Sequence, residues 1–182
     1  IPESSLISRL IMPDSRREME LINTYFDTPD RALSARQMSL RLRREGDNGW
    51  ITLKAGGSVE NELHQRFEWS ASLPEDWENE LEDGLDTAWF KREATSSGDP
   101  DATFQEALKL LKGQRLKTLF EARFNRISLD IGFGDSLMEL ALDSGELLAG
   151  ELVEPVCELE IELKEGDVRD LVELSQEIQA TL

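Results

Sequence analysis

Along most of this chain apolar and polar residues alternate one by one, the period of a strand with one face buried and the other polar. Glu18-Met19-Glu20-Leu21-Ile22 alternates and runs into Asn23-Thr24-Tyr25-Phe26, a predicted strand that Asp27-Thr28-Pro29-Asp30 stops with turn and N-cap chemistry. Met38 to Arg44 and Trp50 to Lys54 predict a hairpin around Gly46-Asp47-Asn48-Gly49. Ala55-Gly56-Gly57-Ser58 is expected to be a flexible loop before a third strand, Leu63 to Ala71. Leu116 to Ile131 and Ser136 to Leu142 predict a further hairpin about Gly132-Phe133-Gly134-Asp135, with Asp143-Ser144-Gly145 ending its second strand. Short helices are expected over Ser4–Leu10 and Arg31–Gln37, an acidic one over Pro74–Asp83, and one over Phe104–Leu111 that stops at Gly113. Asp86 to Thr103 is mixed, with a loop at Ser96 to Pro100, and a last amphipathic helix follows Gly166-Asp167 with Val168, Leu171, Val172 and Ile178 on its apolar side. Many antiparallel-looking strands, a few helices and no dividing linker or repeat make this an α+β chain of one domain.

One strand departs from ordinary alternation. From Glu158 to Lys164 every second residue is charged, as Glu158, Glu160, Glu162 and Lys164, with aliphatic residues between. Glutamate is a poor strand former, and like charges on one strand face repel. A cation balances that cost, so a bound metal ion is the working expectation for Glu158, Glu160 and Glu162. The plain alternative is a strand whose glutamates stand in water.

The other strands carry their charges in the same orderly way. Arg41, Arg43, Lys54 and Arg66 fall on early strands, with Glu68 and Ser70 on the Arg66 face, while Arg123 and Arg126 share a later strand. Glu139, Ala141 and Asp143 occupy one face of the next strand. If the apolar faces pack under helices, the charged faces line either open solvent or the inside of a closed sheet. A closed, charged interior needs partners, and a metal-bound polyanion supplies them: carboxylates hold a hard cation through oxygen, and arginines fork onto phosphate oxygens.

Composition changes the picture in two respects. The 38 acidic and 20 basic residues leave a formal charge of −18, which argues against nucleic acid or an anionic membrane as a partner of the outer surface. No apolar tract is long enough to span a bilayer. Cys157 is the only cysteine, so an intramolecular disulfide is impossible and a reducing cytoplasm is the default; a buried strand thiol is its expected role. His64, the only histidine, lies two residues before Arg66 and is expected to be structural or solvated.

Taken in order, Asn23-Thr24-Tyr25-Phe26-Asp27-Thr28-Pro29, Leu40-Arg41-Leu42-Arg43, Thr52-Leu53-Lys54 and Arg66-Phe67-Glu68 resemble the signature of CYTH domains, the triphosphate tunnel metalloenzymes. Leu140 to Glu146, and Ala149-Gly150 running to Pro155-Val156-Cys157-Glu158-Leu159-Glu160-Ile161-Glu162-Leu163, continue it and are most similar to the bacterial inorganic triphosphatase branch. The resemblance implies an eight-stranded antiparallel β-barrel, a tunnel with a charged lumen and flanking helices, holding Mg²⁺ or Mn²⁺ and a triphosphate or polyphosphate. By position it implies that Arg41, Arg43, Lys54, Arg66 and Arg126 grip phosphates, with Arg123 a weaker candidate because its parity differs. Asp143, Glu158, Glu160 and Glu162 would bind metal, Glu68 would support the site, and Glu158, Glu160 and Lys54 would serve catalysis.

Two departures qualify the resemblance. The family opens on a Glu-x-Glu-x-Lys strand that has no counterpart here, since Ile22 stands where Glu18-Met19-Glu20 would need its lysine. A tail segment with serine and lysine usually follows the last helix, and this branch often carries a C-terminal CHAD domain. The expectation is therefore a CYTH-like domain over 1–182 whose first strand and tail are missing from these residues. The implied activity is hydrolysis of tripolyphosphate to pyrophosphate and phosphate. The alternatives are the same tunnel acting on thiamine triphosphate or a nucleoside triphosphate, an adenylate cyclase, and a non-catalytic polyphosphate-binding module.

Overall fold

The alternating runs become eight strands of one antiparallel sheet in the computed structural model, which describes residues 10–60, 63–75, 77, 81–97 and 101–180. The strands are β1 (Arg17–Asp27), β2 (Ser39–Glu45), β3 (Asn48–Glu60), β4 (Leu63–Ser72), β5 (Thr95–Ser97), β6 (Lys117–Phe133), β7 (Ser136–Ala149) and β8 (Leu152–Glu165), in the order β5-β4-β3-β2-β1-β6-β7-β8. Three helices join them among the described residues: α1 (Thr87–Glu93), α2 (Asp101–Leu111) and α3 (Val168–Gln179). The α+β reading holds. Residues 4–9 of the helix expected at Ser4–Leu10 lie outside the described residues. The chain divides into two compact units, Leu21–Arg123 with Leu147–Glu154, and Ile1–Glu20 with Phe124–Glu146 and Pro155–Leu182.

The first of these units is organised by one buried carboxylate. Asp27, wholly buried at the end of β1, accepts the backbone N–H of Thr28 (2.7 Å), Leu33 (2.9 Å) and Ser34 (3.0 Å) and the Ser34 hydroxyl (2.5 Å). These bonds gather the β1–β2 connection into a knot, so the helix expected over Arg31–Gln37 shrinks to a single 3₁₀ turn, Ser34–Arg36. After β2 the chain reverses in two residues: Glu45 pairs with Asn48, and Gly46 takes the positive φ of 54° that the first position of a type II′ turn needs. Leu40, Leu42, Ile51, Leu53, Trp69 and Ala71 then form one apolar face, which packs into a core with Phe90 of α1 and Phe104, Leu108 and Leu111 of α2.

Three expected boundaries move. Ala55 to Ser58 is not a loop: β3 continues through it, with a bulge between Ala55 and Ser58 and Gly56 at φ +61°. Thr95–Ser97, within the stretch read as mixed, is a short strand paired to β4, and α1 before it is capped by Asp86, which accepts from Ala88 and Trp89 N–H. Of the acidic segment Pro74–Asp83, a 3₁₀ turn forms at Leu81–Asp83, while residues 76 and 78–80 lie outside the described residues.

In the second unit β7 does not stop at Asp143-Ser144-Gly145 but runs on to Ala149. Leu129, Ile131, Met138, Leu140 and Ala141 from the strands and Leu171, Leu174 and Ile178 from α3 are its buried apolar residues among the described residues. Asp167 caps α3 by accepting from Arg169 N–H at 2.8 Å, and the Ser136 hydroxyl ties the helix start to β7 through Asp170 (2.6 Å) and Asp167 N–H (2.9 Å). Gly166, at φ +112°, is required there, because a Cβ would lie 2.7 Å from Ser136 Cα. Val168, read as apolar-side, is exposed instead. Cys157 is also exposed, which corrects the buried-thiol expectation: β8 ends the sheet order, and alternation assigned the residue a face without saying what covers it.

Candidate active site: a basic face and an acid–arginine cluster

Residues directly opposite one another on paired strands share a face. Register therefore places Tyr25 with Arg41, Asn23 with Arg43, Arg41 with Thr52, Arg43 with Trp50, Thr52 with Ser70, and Lys54 with Glu68. The structure thus brings Arg41, Arg43, Lys54 and Glu68 onto one polar face, directly behind the apolar core. Alternation predicted this grouping.

Each cation there is held differently. Arg43 donates through Nε to Oδ1 of Asn23 at 2.8 Å, and Asn23 is itself buried. Lys54 Nζ stands 2.5 Å from Glu68 Oε1. Arg41 is the exception, because its Nε is buried and meets no hydrogen-bond partner among the described residues. Leaving such a donor unmade costs about 1–3 kcal/mol. Arg41 and Arg43 line a cleft of about 260 Å³ with Glu45, Trp50, Thr52 and Ser70, and the Thr52 and Ser70 hydroxyls are 2.9 Å apart. Two guanidinium groups, one with an unspent donor, beside two hydroxyls form a setting for an anion with several oxygens.

The second unit carries the acids. Arg126 forks onto Asp143, with Nε and Nη2 each 2.6 Å from a different carboxylate oxygen, and Nη2 also reaches Glu160 at 2.8 Å. Asp143 is only 2% exposed, so its charge needs a partner of this kind. The bonds from Asp143, opposed by burial and aided by Glu160, hold the Arg126 guanidinium still more firmly in its charged form. Arg17 at the start of β1 bridges Asp130 of β6 (2.7 Å) and Glu139 of β7 (2.9 Å). Lys164 joins Glu162 at 2.9 Å and lies 3.7 Å from Glu139.

Not every predicted residue joins these groups. Arg123 turns to Glu121 at 2.6 Å and is exposed, in keeping with its different parity. Glu158 is exposed on β8, and Glu162 is occupied by Lys164. Arg66 and His64 have side chains outside the described residues. Sequence reasoning gave no role to Asn23, Ser70, Arg17 or Asp130. Asn23 had one usable signal, an amide at a strand position whose parity matches a buried neighbour, Leu21.

The acids fit a divalent ion of one type. Among the described residues no three acidic, histidine or cysteine side chains converge, so a closed protein cage is not built. Asp143 and Glu160 do reach one common nitrogen of Arg126, and two carboxylates completed by water and substrate phosphate are the usual holding of Mg²⁺. Asp143 and Glu160 would hold such an ion, with Glu158 as the next carboxylate on the same strand.

An antiparallel sheet whose apolar residues pack with helices and whose polar positions carry arginines, lysine and carboxylates defines an α+β protein. The CYTH domain family model matches residues 14–182. The inorganic triphosphatase of Haemophilus influenzae is 32% identical over 149 residues, which are 82% of this chain and 37% of that protein. The chain belongs to the CYTH domain family. It spans little more than a third of the length of that relative. Membership implies a divalent metal ion.

Solved structures agree on the fold. HpAC1 from Hippeastrum, described as an adenylyl cyclase candidate with a dominant triphosphatase activity, superposes with a TM-score of 0.60 at 13% identity, over 96% of this chain and 77% of its own. An adenylate cyclase candidate from Bacillus halodurans gives 0.53 at 19%, over 90% and 74%. PH1819 from Pyrococcus horikoshii OT3 gives 0.50 at 16%, over 94% and 78%. Among the described residues no helix is long and apolar enough to cross a membrane.

Proposed function

We propose that the protein is a divalent-metal-dependent inorganic triphosphatase, with residues 1–182 acting as one CYTH domain, in the cytoplasm. The observation that carries this reading is the buried Nε of Arg41, which meets no acceptor among the described residues, in a cleft shared with Arg43, Thr52 and Ser70. A tripolyphosphate oxygen supplies the missing acceptor. The similarity to an inorganic triphosphatase supports the choice of substrate.

In this reading Arg41 and Arg43 fork onto phosphate oxygens, with Arg66 and Arg126 as further grips and Arg123 at most peripheral. Lys54, balanced in the free protein by Glu68, adds a point charge that stabilises the transferred phosphoryl group or the leaving pyrophosphate. Asp143 and Glu160 would supply oxygen ligands, with Glu158 as the next carboxylate on the strand, and Glu158 and Glu160 would orient the attacking water. Mg²⁺ or Mn²⁺, when bound, neutralises and aligns the phosphate chain.

The test is a substrate panel read by product: tripolyphosphate, thiamine triphosphate, ATP and longer polyphosphate, each with Mg²⁺ and with Mn²⁺, using the full-length protein. The proposal expects tripolyphosphate to give the highest kcat/KM, with one phosphate and one pyrophosphate released. Faster turnover of ATP, or cyclic AMP as product, would overturn the substrate assignment. Saturable tripolyphosphate binding without hydrolysis would overturn the enzyme and leave a binding module.

A further inference from the structure

Arg126 stands where an acid site would otherwise hold its positive charge. Its guanidinium spends two donors on the two oxygens of the buried Asp143 and shares one of them with Glu160. The side chain is only 14% exposed, whereas Glu160 is 52% exposed. The arginine is therefore anchored on the Asp143 side and open to exchange on the Glu160 side. A divalent ion drawn to this carboxylate pair would stand beside the Arg126 guanidinium, and two positive charges at one carboxylate pair repel. Both oxygens of Asp143 and one of the two of Glu160 already accept from Arg126.

We propose that Arg126 is the resident counter-ion of this acid pair and competes with the divalent metal for Asp143 and Glu160. The inference deepens the triphosphatase reading at the same site. Occupied by Arg126, the buried Asp143 is neutralised and the fold is stable without metal. Released from them, the guanidinium becomes available to a phosphate oxygen. Metal affinity is thereby set below what the carboxylates alone would give, and it rises when an anion is present to receive the arginine. An ordinary structural ion pair makes the opposite prediction, because removing it would disorder the acids and weaken the metal.

The experiment is Mn²⁺ binding to the full-length protein without substrate, read from the free-ion electron paramagnetic resonance signal, so it does not depend on hydrolysis. Arg126→Gln is expected to bind Mn²⁺ about tenfold tighter, corresponding to one charge-assisted interaction no longer displaced. Arg126→Lys, which keeps the charge but loses the fork, is expected to fall between the two and serves if the glutamine variant does not fold. Unchanged or weaker Mn²⁺ binding in the folded variants would overturn the proposal. In the unmodified protein, Mg²⁺ is expected to shift the Arg126 Nε–H nuclear magnetic resonance signal away from its ion-paired position. A signal unmoved at saturating Mg²⁺ would also overturn it. Phosphate release by the unmodified protein, measured in parallel, separates the two ideas: tighter Mn²⁺ in the variants with no hydrolysis by the unmodified protein keeps the competition and removes the triphosphatase.

Discussion

Asn23 accepts the Nε–H of Arg43 at 2.8 Å across the β1–β2 pair, and this bond orients the guanidinium. Asn23→Ala removes the acceptor without adding charge. Loss of one such bond to a charged group is worth about 1.5–3 kcal/mol, so the KM for tripolyphosphate is expected to rise about ten- to a hundredfold with a smaller change in kcat. Steady-state kinetics check this, and an unchanged KM would take Asn23 out of the site.

Arg41 is held at a cost to the free protein, because its buried Nε has no acceptor among the described residues. Arg41→Met keeps the aliphatic stem and removes the orphan donor. The variant is expected to be as stable as the parent or more so, by about 1 kcal/mol, yet to lose most of the rise in Tm that tripolyphosphate gives the parent. Thermal unfolding with and without tripolyphosphate reads both effects. A destabilised variant that keeps its full ligand-induced shift would contradict the assignment.

Asp27 links acid stability to the site. Burial pushes its carboxyl up, but the Ser34 hydroxyl and the N–H groups of Leu33, Ser34 and Thr28 outweigh this and hold it below the ordinary value of 3.8. A group with a depressed folded pKa stabilises the protein above its unfolded value, and that contribution is lost as pH falls through the folded value. Denaturant midpoints are expected to drop below about pH 4, the unfolded aspartate range, and less steeply in Asp27→Asn. Asp27→Ala should lose about 2–4 kcal/mol by orphaning several donors. An acid profile identical in parent and Asp27→Asn would refute the linkage.

Glu68 holds Lys54, from which it is 2.5 Å away, and under the proposed function it competes with the substrate for that charge. Glu68→Gln frees that charge while keeping the side-chain shape. Tripolyphosphate is expected to bind about two- to fivefold tighter by calorimetry, a modest effect because both groups are partly solvated. Weaker binding would instead assign Glu68 the task of holding Lys54 in place.

The grouping of the basic residues was legible because a period of two fixes which side chains share a face whatever the strand's length. Arg41, Arg43, Lys54 and Glu68 meet as alternation requires. Strand limits were not, because Gly-Gly-Ser and Asp-Ser-Gly carry turn chemistry that pairing with a neighbour overrides: β3 absorbs Ala55 to Ser58 as a bulge, and β7 passes through Asp143. Partner choice was harder still. Arg126 and Asp143 lie on different strands, and nothing local distinguishes an arginine that grips a ligand from one that neutralises a buried aspartate. Burial at Cys157 failed for a related reason, since a strand's apolar face says nothing about what covers it.

The most direct test of the account is phosphate release from tripolyphosphate by the full-length protein with Mg²⁺ or Mn²⁺, measured for the parent beside Arg43→Ala and Glu160→Ala. Metal-dependent release is predicted for the parent. Each variant should fall by about a hundredfold, the usual loss when one preorganised charge-stabilising group is removed. Normal turnover in both folded variants would contradict it.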